Sequence, residues 1–226
     1  MNAAFANLLA ATSAFVVLHF AMSGALRRPL IRALGQSMFM LTYSMVSIGT
    51  FVWAVVAFDR MPSDPLLWDG MHPLAWLTGS VLTVAALALL LPSFGRNPAL
   101  PGAKAAGLGT VIPSGVFTIT RHPMMWGIAL WALAHVIVAP SARVIVLMTG
   151  MIVLALIGSH LQDKRKLAGN TREFAPWQRR TSFWPRMRNL GAIKLVWLAS
   201  LVVWTLLTWV HWHFFGIPAG VWMWIG

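Results

Sequence analysis

The chain has 226 residues, of which 58% are hydrophobic and only 10% are charged. A soluble domain of this length carries roughly 25% charged residues, so this composition excludes a water-exposed globule and indicates a protein whose solvent is the lipid bilayer. The net charge is +12, and the basic residues lie between hydrophobic runs, which argues against nucleic-acid binding and for anionic membrane lipids as partners. The absence of cysteine excludes disulfides and thiolate metal sites.

Six apolar runs are long enough, or nearly so, to cross a hydrocarbon core about 30 Å thick. They cover approximately residues 3–23, 38–58, 73–92, 124–140, 142–161 and 191–215. No basic segment precedes the first run, so we expect it to stay in the membrane rather than be cleaved as a signal peptide. Pro140 and Ser141 separate the fourth and fifth runs, which predicts an antiparallel hairpin. The sequence therefore predicts one domain over residues 1–226, an all-α polytopic membrane bundle of about six transmembrane helices.

Positive charge is concentrated in alternate loops. The cations of the loops after the first, third and fifth runs are Arg27, Arg28, Arg32, Arg96, Lys104, Arg121, Lys164, Arg165, Lys166, Arg172, Arg179, Arg180, Arg186 and Arg188. The loop after the second run is net negative, and the turn after the fourth holds only Arg143. This positive-inside pattern predicts cytoplasmic basic loops and places both termini outside. The fifth loop, 162–190, is long enough to fold over the inner face of the bundle.

Four of the seven histidines lie within the first, fourth and fifth apolar runs or near their inner ends. His19 lies in the first run and His135 in the fourth, whereas His122 and His160 lie near the inner ends of the fourth and fifth. A polar side chain in the bilayer is costly, so each needs a partner or a cofactor. Two histidines on different helices can hold a haem iron from both faces, or each can bond a carbonyl or hydroxyl group of a neighbouring helix.

Depth along the helices leaves the histidine pairing open. At 1.5 Å per residue, His135 lies roughly 20 Å from His122, whereas His19 is about one turn from the inner end of its helix. A haem shared by His19 and His135 therefore needs a tilted or extended first helix. On depth alone, His19, His122 and His160 form the better inner cluster.

The sharpest local motif is residues 120–127 (TRHPMMWG). Pro123 begins a helix, and Arg121 and His122 stand beside its N-terminus, where free N–H groups and positive side chains favour an anion. The alternative is a topology anchor in which Arg121 binds lipid phosphate. Together with His160, these two residues are the candidates for catalytic groups at the inner face.

These motifs together resemble the NnrU family of bacterial membrane proteins over about residues 10–190. The residues that carry the resemblance are His19-Phe20, 27–30 (RRPL), 42–44 (TYS), 120–127 (TRHPMMWG), 131–135 (WALAH), 158–160 (GSH) and 181–183 (TSF). The resemblance implies a multi-pass protein of the bacterial inner membrane that is linked to nitrite and nitric oxide reduction.

A related family, the plastid 15-cis-zeta-carotene isomerases, is similar over the same helices and uses haem b. Its haem histidines correspond to His19 and His135, and an alternative cysteine ligand corresponds to Ala132. This chain therefore departs from the ligand-switching pattern and keeps the two histidines. The resemblance implies haem b bound as a metal centre by His19 and His135, in redox metabolism or in an isomerase-like reaction on an apolar small molecule.

Residues 121–123 (RHP) and the basic fifth loop also resemble isoprenylcysteine carboxyl methyltransferases and related phospholipid methyltransferases. Those families bind S-adenosylmethionine at the inner face with this motif and a later acidic pair, whereas residues 162–165 (QDKR) contain only Asp163. Among its cationic neighbours, Asp163 is expected to form a surface salt bridge of little energetic value. The alternatives to a haem protein are thus a methyltransferase that uses Arg121 and His122, and a non-enzymatic factor that assembles a reductase.

Overall fold

Helices account for most of the chain. Within residues 2–95, 97 and 107–224, which the computed structural model describes, the α-helices are α1 Ala3–Ser23, α2 Arg27–Asp59, α3 Pro73–Leu90, α4 Pro123–Val138, α5 Ala142–Gly169, α6 Thr171–Arg180 and α7 Lys194–Phe215. Short 3₁₀ segments occur at Leu91–Phe94, Gly115–Thr118, Met187–Ile193 and Gly220–Trp224. These ranges contain no strand, so the predicted all-α class is confirmed.

Five segments of the described chain are long and apolar enough to cross a membrane. They are Ala3–Ser23, Arg27–Asp59, Pro73–Phe94, Ala142–Gly169 and Met187–Phe215. Helix α4 is also apolar, but its 16 residues span only about 24 Å. The predicted hairpin is confirmed as well, because α4 and α5 pack together and are joined by residues 139–141. The protein is therefore a polytopic helical membrane bundle, and its fourth apolar helix is the short one.

The long helices pack side by side in the order α2–α1–α5–α4–α3–α7. Helices in a membrane approach closely where small residues meet. A Cβ atom added at Gly127 of α4 would lie only 2.9 Å from the Ala86 carbonyl oxygen of α3. Between α1, α2 and α4, Leu8, Ala54 and Ala132 are fully buried in one apolar cluster. Helix α5 therefore lies between α1 and α4, and these helices position the site described below.

The loop predicted between the first two runs is helical instead. Helix α2 begins at Arg27, and its backbone bends at Gly35, where φ is 77° and ψ is 165°. Glycine adopts this conformation without a steric penalty, because it has no Cβ atom. Residues 27–34 therefore form a short helical arm before the apolar part of α2, and Arg28 and Arg32 lie on that arm.

The fifth loop is also largely helical. Helix α5 continues to Gly169, about two turns beyond the predicted end of its apolar run, and α6 follows directly. Phe174 and Trp177 of α6 are buried against Leu108. Helix α6 thus packs on the chain at this end of the bundle, as the length of the loop predicted.

Charge distinguishes the two ends of the bundle. The end that carries the arm and α6 is called the basic end here, although two of its predicted cations, Arg96 and Lys104, lie outside the described residues. At the opposite end, Asp64 caps α5, since its Oδ2 accepts a hydrogen bond of 2.5 Å from the Ala142 N–H. Which end faces the cytoplasm stays a prediction.

Candidate functional site

A buried ion-pair network joins α4 to α5 at the basic end. Arg121 Nε and His122 Nε2 each donate a hydrogen bond of 2.7 Å to the Asp163 carboxylate. Arg121 Nη2 lies 2.6 Å from the same carboxylate. All three residues are at most 9% exposed. Because a carboxylate only accepts hydrogen bonds, it holds the imidazole of His122 with a proton on Nε2.

This network differs from the contacts predicted for its members. Asp163 pairs with residues 42 and 41 positions earlier in the chain, and not with the adjacent Lys164. The reason is that successive residues of a helix point in different directions. Arg121 and His122 in turn contact a carboxylate of the protein. The alternative of a lipid-phosphate anchor at Arg121 stays a prediction. The methyltransferase alternative stays a prediction.

Two motifs singled out in the sequence, residues 120–127 and 181–183, hold the network in place. Thr120 is fully buried, and its Oγ1 donates to the Phe183 carbonyl oxygen at 2.7 Å. The Arg121 N–H donates to the Ser182 carbonyl oxygen at 2.8 Å, and Trp126 Nε1 donates to the Phe183 carbonyl oxygen at 2.8 Å. The Arg121 guanidinium also lies over the Phe183 ring, 5.6 Å from its centre. These contacts give both sequence motifs a structural role.

A cavity of about 680 Å³ lies between α1, α2, α4 and α5. Its apolar walls include Phe15, Phe20, Met40, Met124, Met125, Ile128, Met151, Leu154 and Ala155. Its polar groups are His19, Ser23, Arg27, Gln36, Tyr43, Asn97, His122, Ser159, Gln162, Arg165 and Lys166. A cavity of this volume that combines apolar walls with converging polar groups is typical of a site for a small molecule.

His19 is held in this cavity by two hydroxyl groups of α2. Tyr43 Oη lies 2.5 Å from His19 Nε2, and Ser47 Oγ lies 3.3 Å from Nδ1. A neutral imidazole has one N–H group and one lone pair, so one hydroxyl donates to the ring and the other accepts from it. Phe15 packs edge-on against the same ring. His19 and Tyr43 thus form a proton donor–acceptor pair in mostly apolar surroundings.

The other predicted histidines lie in three different places. His122 lines the cavity, and its Nδ1 is buried without a hydrogen-bond partner among the described residues. His160 is exposed and lines a second cavity of about 620 Å³, together with Arg121. His135 lies near the far end of α4, where its Nδ1 donates to the Trp131 carbonyl oxygen at 2.8 Å. The first cavity therefore brings together His122 and His19 alone of the predicted site residues.

The two histidines predicted to hold haem do not line the same cavity, and both ring nitrogens of His19 contact hydroxyl groups of α2. His19 lines a cavity large enough for a small-molecule cofactor and lies about 6 Å along α1 from its basic end. His135 is not among the residues that line this cavity, and it lies about 18 Å along α4 from Pro123. Haem b therefore stays a prediction.

Sequence reasoning missed the cavity roles of Tyr43 and Arg165. Tyr43 is the single tyrosine of the chain, and a lone phenol in an apolar run was the available signal. Arg165 belongs to a basic cluster that topology alone explains, so the sequence does not mark it as a cavity residue. The spatial approach of α2 to α5 brings both into the same wall.

Comparison with known proteins agrees with the family resemblance. The chloroplastic 15-cis-zeta-carotene isomerase of Zea mays is 26% identical over 184 residues, which is 79% of this chain and 49% of that protein. The chain thus spans about half the length of this curated relative, and no solved structure matches it. The model of the NnrU protein family matches residues 7–219, which include the ion-pair network and the cavity walls, so this chain belongs to the NnrU family.

Proposed function

We propose that this protein is a membrane enzyme with an isomerase-like activity on an apolar small molecule, which binds in the cavity between α1, α2, α4 and α5. The observation that carries the proposal is the donor–acceptor pair of His19 and Tyr43 inside mostly apolar walls. The relative from Zea mays supports it, since that protein is named as an isomerase of 15-cis-zeta-carotene.

The composition of the walls supports an apolar substrate. Four methionines, Met40, Met124, Met125 and Met151, line the cavity. Methionine side chains are unbranched and polarisable, so they adapt to irregular apolar ligands. Such walls hold a hydrocarbon chain without specifying a single shape.

Tyr43 can act as both acid and base at one place in the cavity, with His19 as its hydrogen-bond partner. When Tyr43 donates its proton to one carbon of a double bond, Tyr43 becomes a phenolate and the other carbon becomes a carbocation. The remaining single bond then allows the substrate to rotate. Return of the proton from that carbon to Tyr43 restores the double bond in its new geometry, so no proton is consumed. His19 stabilises the charge that develops on the phenol oxygen, and Ser47 holds the second ring nitrogen. Positioned acid–base groups typically accelerate a reaction about 10²–10⁴-fold.

The test is an isomerase assay on the purified protein in phosphatidylcholine nanodiscs. With 15-cis-zeta-carotene as the probe and chromatographic separation of its isomers, we expect turnover by the natural chain. Tyr43→Phe removes only the hydroxyl group and should lower the rate about 100-fold. Ser44→Ala is the matched control, because Ser44 is exposed on the same helix and does not line the cavity. A natural chain without turnover, or a fully active Tyr43→Phe variant, would rule the proposal out.

The absorption spectrum of the same preparation tests the haem b prediction. If a Soret band is present, we expect His19→Ala to abolish it and His135→Ala to leave it unchanged, because His19 lines the cavity and His135 does not. Loss of the band in both variants would instead support the pair that the family resemblance implies. A colourless preparation, purified after growth with added haem precursor, would end the haem prediction. The link to nitrite and nitric oxide reduction stays a prediction as well.

A further inference from the structure

The cavity carries a concentration of positive charge at one end. Arg27 from the arm of α2 and Arg165 and Lys166 from α5 all line it. Among the described residues that line the cavity there is no aspartate or glutamate. Like charges that converge on one apolar space repel one another unless an anion lies between them.

The nearby acidic groups are already engaged elsewhere. Asp163, the single acid of α5, accepts hydrogen bonds from Arg121 and His122. Glu173 of α6 accepts a hydrogen bond of 2.8 Å from the Gly109 N–H. Neither residue lines the cavity, and Asp163 interacts electrostatically with Lys166. Arg27 and Arg165 are therefore the cations for which the described cavity lining offers no acid.

The apolar part of the cavity extends away from these cations. Along α5, the lining runs from Arg165 back to Met151, which is about 21 Å at 1.5 Å per residue. The apolar walls along this length are Phe, Met, Leu, Ile and Ala side chains, and the polar groups His19, Tyr43, Ser159 and Gln162 lie among them. A site of this kind matches a ligand with a charged head and a long apolar body.

We propose that the cavity binds an amphiphile whose head is anionic, a carboxylate or a phosphate, at Arg27 and Arg165, and whose apolar chain lies along α5 toward Met151. The inference rests on the proposed function only in placing the substrate in the same cavity. It adds an anionic class of ligand to this cavity, because a hydrocarbon substrate gives these arginines no partner. His122 adds one further polar group at this end, since its Nδ1 has no hydrogen-bond partner among the described residues.

Binding of cis-parinaric acid tests this proposal, because its polyene fluoresces when it leaves water. The protein is used in phosphatidylcholine nanodiscs, and the methyl ester of the same acid serves as the uncharged probe. We expect the acid to bind at least about tenfold more tightly than the ester, and Arg27→Gln or Arg165→Gln to remove about tenfold of that affinity. The affinity for the ester should not change in either variant.

Matched controls lie next to both arginines. Arg28→Gln and Lys164→Gln remove the same charge from exposed positions that do not line the cavity, and should leave binding of the acid unchanged. Equal loss in these controls would overturn the proposal, since it would reduce the effect to surface charge. Equal binding of acid and ester by the natural chain would also overturn it.

Competition identifies the source of the anion. Dioleoyl phosphatidylglycerol should displace the acid at far lower concentrations than inorganic phosphate, which supports a lipid-like ligand. Equal displacement by phosphate alone would overturn the role of the apolar chain.

The two proposals can fail separately. If parinaric acid binds more tightly than its ester and zeta-carotene is not turned over, only the isomerase proposal fails. If zeta-carotene is turned over and the acid binds no better than its ester, only the present inference fails.

Discussion

Asp163 is the residue on which the buried charge at the basic end depends. Its carboxylate is the common partner of Arg121 and His122, and all three side chains are buried. Removal of one partner from a buried ion pair leaves an uncompensated charge, which is more destabilising than the loss of the pair as a whole. Replacement of Asp163 is therefore expected to lower stability more than replacement of any exposed charged residue.

We predict that Asp163→Asn strongly destabilises the protein. Asparagine keeps the shape of the side chain but leaves the Arg121 guanidinium without a counter-charge, which should cost about 3–5 kcal/mol. The measurement is thermal unfolding in detergent, followed by tryptophan fluorescence. Asp59→Asn is the control, because Asp59 is exposed at the end of α2. An unchanged unfolding temperature for Asp163→Asn would contradict a structural role for the network.

The sequence indicated which side chains matter more readily than what they contact. An ionisable group in an apolar run is conspicuous, so His19 and His122 could be singled out from the sequence alone. Their partners could not, because Tyr43 lies 24 positions from His19 and Asp163 lies 41 positions from His122. Such pairings depend on how α1, α2, α4 and α5 pack, which hydropathy does not encode.

At the scale of the elements, apolar length predicted the membrane helices well. The runs predicted at 3–23 and 142–161 correspond to α1 and to the apolar part of α5. Polar helices were harder to predict, because neither the arm before Gly35 nor α6 has the length or hydropathy of a membrane span. Helix α6 is recognisable instead by its amphipathic pattern, in which Phe174 and Trp177 are buried.

The contact between α3 and α4 leads to a second prediction. Gly127→Leu should lower stability by about 1–3 kcal/mol, because any side chain there would meet the Ala86 carbonyl oxygen. Gly49→Leu is the matched control, since a Cβ atom at Gly49 has no neighbour within 4 Å and leucine is the better helix former. Both variants can be compared by thermal unfolding in the same detergent. Equal unfolding temperatures would show that α3 and α4 do not pack as closely as described.

For the whole molecule, charge rather than packing predicts orientation. The arm, the end of α5 and α6 place most of the cations at one end, and the positive-inside rule assigns that end to the cytoplasm. Packing cannot make this assignment, because a bundle has the same internal contacts in either orientation.

Orientation can be tested cleanly because the chain has no cysteine. We expect Ser63→Cys, at the exposed opposite end, to react with a membrane-impermeant maleimide on intact cells. Ala168→Cys, exposed near the end of α5, should react only after the membrane is opened. The reverse labelling pattern would mean that both termini are cytoplasmic.

The ion-pair network also has a consequence for communication within the protein. His122 belongs to the wall of the first cavity, whereas Arg121 and Asp163 belong to the wall of the second. One continuous chain of charged groups therefore separates two compartments that open on different faces of α5. An occupant of the first cavity that contacts the His122 imidazole is therefore separated by only three hydrogen-bonded side chains from an occupant of the second cavity that contacts Arg121.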